Sequence, residues 1–316
     1  MRRSLAVLVL ALAVAVSPKL AAAEETRITV LHTTDVHGSL LPWDDLSNRP
    51  AARGLARAAT RIAKVRAEGN PVLLLDAGDA MSGAPLVSVW QRDHAGLPHP
   101  VATAMNALGY DAMALGNHEF DYGPAGIDTA RATSRFPWLA ANVVRRDGSP
   151  AFAPSLVKEL NGVRVGVIGL CTPAVPLMAD SAQWSGYKFL SPIDVARKEV
   201  ARLRGAERCD VVIALAHTGL EKNPRTGEVR KGDAPGENFG HQLASEVPGL
   251  DVVILAHTHE ALPFANVGGA VVTQAGRSAE GIGRVDLKLT RVTPTSPWKL
   301  ARPFAGYAAF GDSTAT

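Results

Sequence analysis

Seven short apolar runs recur along the chain, at residues 28–31, 72–75, 111–115, 138–141, 163–170, 211–216 and 252–255, and they constrain its fold more than any other feature. Several are apolar without polar alternation, which is what a strand needs when both faces of its sheet are covered. Stretches of helical character lie between them. Residues 53–68 read as an Ala/Arg-rich helix stopped by Gly69, and residues 192–205 as another, with Pro192 near its start and Gly205 at its end. Alternating strand and helix predicts an α/β sheet core. After Val271 the pattern shifts to two short hairpin-like strands, 271–274 and 283–289, and from Thr293 to a Pro-containing tail that reads as an edge extension or a linker. Residues 221–240, rich in Gly, Pro and charge and without apolar periodicity, read as a long surface loop; such loops in compact domains are often functional.

A length of 316 residues fits one large α/β domain without requiring two. With 47% hydrophobic and 20% charged residues, no long charge run and no low-complexity tract, the chain is not of the disordered, coiled-coil or collagen type. The N-terminus differs from the rest. Arg2 and Arg3, an apolar run over residues 5–16 and then Ala21, Ala22 and Ala23 before Glu24 form the pattern of a secretory signal peptide, too short in its apolar part to span a membrane. Cleavage after residue 23 would direct the protein to the periplasm or outside the cell, with no stable membrane insertion. It would also remove three basic residues, leaving 30 basic against 30 acidic. A neutral chain gives no electrostatic reason to expect nucleic acid or an anionic membrane as partner. Export permits disulfides, yet Cys171 ends one predicted strand and Cys209 precedes another. In parallel strands these thiols would lie roughly 20 Å apart at ~3.3 Å per residue, so both are predicted free.

Five apolar strands are each followed at once by side chains of metal-binding type: Asp35-Val36-His37, Gly78-Asp79, Gly116-Asn117-His118-Glu119, His217 and His257-Thr258-His259. Ligands of open α/β sheets bind beyond the carboxyl ends of strands, so these endings should meet in one crevice. In an extended segment residues i and i+2 point to one side, which would let Asp35 with His37, and His257 with His259, aim paired ligands at one cavity. Taken singly, an Asp-x-His is weak, Gly78-Asp79 could be a plain turn and His217 a strand-end hydrogen bonder. Together Asp35, His37, Asp79, Asn117, His217, His257 and His259 offer too many ligands for one four-coordinate ion and suit two ions sharing a carboxylate. No thiolate is among them, which disfavours a structural zinc knot.

These segments, with Gly116 to Gly123 reading Gly-Asn-His-Glu-Phe-Asp-Tyr-Gly, resemble the binuclear (calcineurin-like) metallophosphoesterase superfamily and, within it, the catalytic domain of the 5'-nucleotidase family. The resemblance runs from about Ile28 to Leu289 and implies a four-layer α/β/β/α sandwich with two mixed sheets. The domain would occupy 24–292, with 293–316 as a C-terminal tail or edge extension. It also implies that Asp35, His37, Asp79 and His259 hold one divalent ion and Asp79, Asn117, His217 and His257 the other, with Asp79 as bridge. Imidazole and carboxylate suit Zn, Mn, Fe, Co or Ni. His118 matches the family's catalytic histidine and Asp121 the carboxylate that orients it. The implied activity is that of a secreted phosphoesterase cleaving phosphomonoesters, 5'-nucleotides foremost, by attack of a metal-bridging hydroxide. Cyclic nucleotides, nucleotide sugars or thiosulfate esters are alternative substrates for such a site, and a non-catalytic metal-binding protein is the remaining alternative. Ala256 stands where the family usually has Gly, and Thr34 where it often has Asn. The chain ends near Thr316, without the second domain that in two-domain members contacts phosphate and base. Trp43, Trp90, Trp184, Tyr187 and Phe239 are the aromatic residues nearest the motifs, and packing is their expected role.

Overall fold

A computed structural model describes residues 23–94 and 96–309. The expected export signal lies outside them apart from Ala23. Among the described residues the chain builds two large mixed sheets. In the first, Glu24–Thr33, Val72–Asp76, Ala112–Ala114 and Trp138–Leu139 run parallel in that order, and Gly281–Arg291 pairs antiparallel with the free side of Glu24–Thr33. Lys299–Leu300 and Phe304–Ala309 pair in turn with Gly281–Arg291. In the second, Val163–Cys171, Val211–His217, Val252–Leu255 and Ala270–Ala275 are parallel neighbours, flanked antiparallel by Ser155–Leu160 and Ala261–Val267.

The period of two along each strand sorts side chains into layers. Leu73 and Leu75 face the second sheet, whose Val165, Val167, Ile213, Leu215 and Ile254 meet them in a closed apolar interface. Leu74, with Leu31 and Met113, faces the other way, onto helices Leu55–Arg66, Pro100–Leu108 and Gly123–Thr133. On the far side of the second sheet, Val212, Ala214 and Val253 pack against Pro192–Gly205 and Gly240–Glu246. The result is the expected α/β/β/α sandwich. Runs covered on both faces have to be continuously apolar, which is why they stood out.

One expectation fails. Residues 283–289 do not form a hairpin with 271–274, whose antiparallel partner is Ala261–Val267. The chain instead crosses between sheets at 276–280, where Gly276, Ser278 and Ala279 take left-handed φ, and Gly281–Arg291 pairs with Glu24–Thr33. Helices Pro85–Asp93, Pro100–Leu108 and Gly123–Thr133 were not foreseen, although each carries a proline in its first turn, where the missing N–H costs nothing. Cys171 and Cys209 are buried and unpaired, and the register His217 to Cys171 and Val211 to Val165 puts them at opposite ends of neighbouring strands, as predicted.

Candidate metal centre

The carboxyl ends of Glu24–Thr33, Val72–Asp76, Ala112–Ala114, Val211–His217 and Val252–Leu255 meet at one edge of the sandwich, and the turns that follow them are tied to each other. Asp35 N–H donates to Gly78 O at 3.1 Å, His37 N–H to Asp79 O at 2.8 Å, and Ala256 N–H to Thr218 O at 3.1 Å. All seven predicted ligands are brought together. The donor atoms of Asp35, His37 and His259 lie within 4.8 Å of one another, as do those of Asp79, His217 and His257. Asn117 Oδ1 lies 3.2 Å from His217 Nε2, which joins it to the second set.

The reason for their convergence is not the one the spacing suggested. Asp35, His37, Asp79, His257 and His259 have φ of 51°, 48°, 57°, 72° and 59°, so these segments are left-handed turns and not extended strands. Two glycines make the turns possible. A Cβ on Gly78, itself at φ 98°, would sit 2.6 Å from Gly116 N, and one on Gly116 would overlap Asp79 Oδ1.

Burial sets the electrostatics. Asp35 is 0% exposed; His257 N–H donates to its Oδ1 at 2.9 Å, while Oδ2 has no hydrogen-bond partner. Burial, reinforced by Asp79, pushes the Asp35 carboxyl up. Burial works the same way on Asp79, but the surrounding histidines, led by His217 with Nε2 3.0 Å from Asp79 Oδ2, outweigh it and hold Asp79 low. Burial pushes His37, His257 and His259 down, the last to about 4, which keeps these imidazoles neutral with a lone pair to offer. Buried carboxylates, one with an orphaned oxygen, beside the neutral imidazoles of His37, His257 and His259 are a donor set that fits divalent cations.

His118 stands at the rim with 44% of its side chain exposed. Its Nδ1 is 3.0 Å from Asp121 Oδ2, a partner that takes the imidazolium up to about 9 against its own burial. Ser82 Oγ donates to Asp121 Oδ2 at 2.6 Å and fixes the carboxylate in turn.

Three acids gained no role from the sequence. Glu119, 5% exposed, accepts from the backbone N–H of Asp79, Ala80, Met81 and Gly116 at 2.7–3.0 Å, so it holds the turns that carry Asp79 and Asn117 at once. Asp76 accepts from Thr33 Oγ at 2.6 Å and Gly78 N–H at 2.9 Å, and burial takes its carboxyl up to about 7. Glu237, near the end of the 221–240 loop, places Oε1 2.9 Å from His257 Nε2. Glu119 sits inside a recognised motif, but its contacts are to backbone, which no side-chain pattern reports.

The unusual residues are accommodated: Ala256 is buried, and Thr34 Oγ donates to Gly276 O at 2.7 Å. Of the aromatics, Trp90 and Phe239 are buried in packing and Tyr187 stacks on Phe152, whereas Trp43 is 39% exposed. Among the described residues no helix is long and apolar enough to cross a membrane.

Comparison with known proteins bears on this geometry. The calcineurin-like phosphoesterase family model matches residues 28–261. The 2',3'-cyclic-nucleotide 2'-phosphodiesterase/3'-nucleotidase of Yersinia enterocolitica is 33% identical over 86% of this chain and 43% of its own length. The 5'-nucleotidase of Mus musculus is 34% identical over 80% of this chain and 41% of its own. The crystal structure of calcineurin-like phosphoesterase YfkN from Bacillus subtilis superposes with a TM-score of 0.80 at 30% identity, covering 91% of this chain and 92% of that one. The chain spans less than half the length of the curated relatives it matches.

Proposed function

Because the chain belongs to the calcineurin-like phosphoesterase family, we propose that it hydrolyses nucleotide phosphoesters at a centre of two divalent cations. The observation that carries this reading is the pair of adjacent donor sets, Asp35/His37/His259 and Asp79/His217/His257, with the His118–Asp121 pair beside them. Asn117, 3.2 Å from His217, would complete the second set, and Asp79 would serve both ions. Two cations so held would supply a water nucleophile at neutral pH and offset charge on the phosphoryl oxygens. The chain's own residues do the rest. Asp121 accepts the Nδ1–H of the His118 imidazolium, which leaves the ring's second proton, on Nε2, free to be donated to a phosphoryl or leaving-group oxygen. Ser82 holds Asp121 in that orientation.

Monoester cleavage of 5'-nucleotides is the primary reading. Opening of 2',3'-cyclic nucleotides is favoured as a second one by the name of the Yersinia relative. Both are in-line displacements at phosphorus, and one site can serve both. We further propose that residues 1–23 direct export, which would place the reaction in the periplasm or outside the cell.

A single panel tests this. Metal-stripped protein, reconstituted in turn with Zn, Mn, Fe, Co or Ni, is assayed for phosphate release from 5'-AMP, 3'-AMP and p-nitrophenyl phosphate, and for ring opening of 2',3'-cyclic AMP. Turnover that depends on added metal is expected. Its absence on every substrate with every ion would refute the proposal.

A further inference from the structure

The long loop at 221–240 reaches His257 of the proposed metal centre through the side chain of Glu237. Backbone and side chain of Glu237 touch the ends of three neighbouring strands of the second sheet. Thr172 Oγ, just past Val163–Cys171, donates to Glu237 O at 2.9 Å, and Thr218 Oγ, just past Val211–His217, donates to the same oxygen at 3.2 Å. The carboxylate meets the third strand end: Oε1 lies 2.9 Å from Nε2 of His257, and Oε2 accepts from Ala234 N–H at 2.6 Å. The next residue, Asn238, accepts from Gly219 N–H at 2.6 Å, which locks the loop to the turn after His217. Both partners are largely enclosed, the side chains of His257 and Glu237 being 10% and 19% exposed. Glu237 is not part of the donor set formed by Asp79, His217 and His257.

We propose that Glu237 is a positioning residue that accepts the Nε2–H of His257 and thereby leaves Nδ1 of that ring as the ligand for the cation at Asp79, Asn117 and His217. The proposal rests on the dimetal reading given above. The physical reason is general: a ligating imidazole carries one proton, the group that takes it selects which nitrogen binds, and a carboxylate in that place also makes the ring a stronger donor. A ring without it could rotate or present the wrong nitrogen.

The test uses the full chain with two substitutions. In metal-free, 15N-histidine-labelled wild type, His257 should be the Nε2–H tautomer. Glu237→Ala should lose that preference, whereas Glu237→Gln, which keeps an acceptor oxygen and nearly the same shape, should retain it. In metal titrations followed by competition with a chelator, Glu237→Ala should weaken one ion by about 10- to 100-fold and leave the other unchanged, with Glu237→Gln between the two. Excess metal should restore kcat with little change in KM. The proposal is overturned if His257 carries its proton on Nδ1 in the wild type. It is equally overturned if Glu237→Ala keeps wild-type affinity for both ions or loses both alike, or if its tautomer is unchanged while metal is lost, which would make Glu237 a ligand. A wild type that takes up no second ion would defeat the dimetal reading, and the tautomer of the metal-free protein would still judge Glu237.

Discussion

Replacing Glu119 by glutamine removes a charge and one acceptor oxygen while keeping the shape, and its cost can be worked out from four distances. Oε1 accepts from Ala80 N–H at 2.8 Å and Met81 N–H at 3.0 Å, and Oε2 from Asp79 N–H at 2.8 Å and Gly116 N–H at 2.7 Å. The amide of Glu119→Gln has one acceptor oxygen, so whichever way it turns, two backbone N–H groups face an NH2. Hydrogen bonds to a charged acceptor contribute about 1.5–3 kcal/mol each, so losing two costs roughly 3–6 kcal/mol. Part of this is returned, because burial penalises the carboxylate and pushes its pKa up, whereas an amide has no charge to desolvate. A net loss of about 2–4 kcal/mol remains, a large fraction of the roughly 5–15 kcal/mol that holds a domain together. At about 2–4 °C per kcal/mol, Tm should fall by roughly 5–15 °C. The assay is urea unfolding of metal-free wild type and variant, followed by circular dichroism, with metal content measured on the folded proteins. Asp79 lies in one of the turns this network holds and Gly116 next to Asn117 in the other, so metal affinity should fall with stability. A loss below about 1 kcal/mol with two ions still bound at wild-type occupancy would show that Glu119 does not hold these turns.

Asp79→Ala should lose both ions and nearly all activity, since its carboxylate is assigned to both; elemental analysis showing two ions at wild-type occupancy would end that assignment. His118→Asn should keep both ions and the fold while kcat falls by roughly 10² to 10⁴, the usual range for a lost general acid, and loss of metal would make His118 a ligand instead. In metal-free protein Asp121→Asn should bring the titration of His118 down from about 9 toward the ordinary ~6.5, read from its NMR shifts against pH. Because the folded pKa is the raised one, the pair's contribution to stability is full below about 6.5 and fades as pH rises through about 9; an unmoved midpoint would refute the pairing. With Trp90 and Phe239 buried in packing, the leaving group should be held loosely, so kcat/KM for different 5'-nucleotides and simple monoesters should agree within about 10²-fold, or roughly 2.7 kcal/mol; discrimination above about 10⁴-fold would contradict this.

The sandwich was legible because its strands are covered on both faces. A run such as 72–75 has to be apolar at every position when Leu73 and Leu75 meet one layer and Leu74 the other. Gly281–Arg291 was harder. Val285, Leu287 and Leu289 alternate with Asp286 and Lys288, which identifies a strand with one covered face but carries no information on which sheet will receive it. That choice is made by the crossing at 276–280 and by the register with Glu24–Thr33, and both are long-range properties. The short helices were missed for a different reason: at 9 to 11 residues they offer few periodic positions, and only their first-turn prolines announce them.

For the site, the sequence was right about which residues meet and wrong about how. Alternation along an extended strand would aim Asp35 and His37 together, but their φ of 51° and 48° belongs to left-handed turns, a region that costs an ordinary residue about 1–2 kcal/mol. Asp79, His257 and His259 share it, and five such residues would strain a domain by an amount comparable to its whole stability. Hydrogen bonds between the turns fix four of the five backbones: Asp35 to Gly78 O, His37 to Asp79 O, Asp79 to Glu119 Oε2, and His257 to Asp35 Oδ1. Aspartate and histidine also tolerate this region better than most residues. The geometry of the proposed ligands is therefore held largely by the protein itself. Little of the free energy of cation binding then needs to go into ordering loops, in contrast to a zinc finger, whose ligands have no fixed arrangement without the metal. Residues such as Glu119, which lie outside both donor groups and hydrogen-bond only to backbone, are for this reason as much a part of the proposed centre as its ligands.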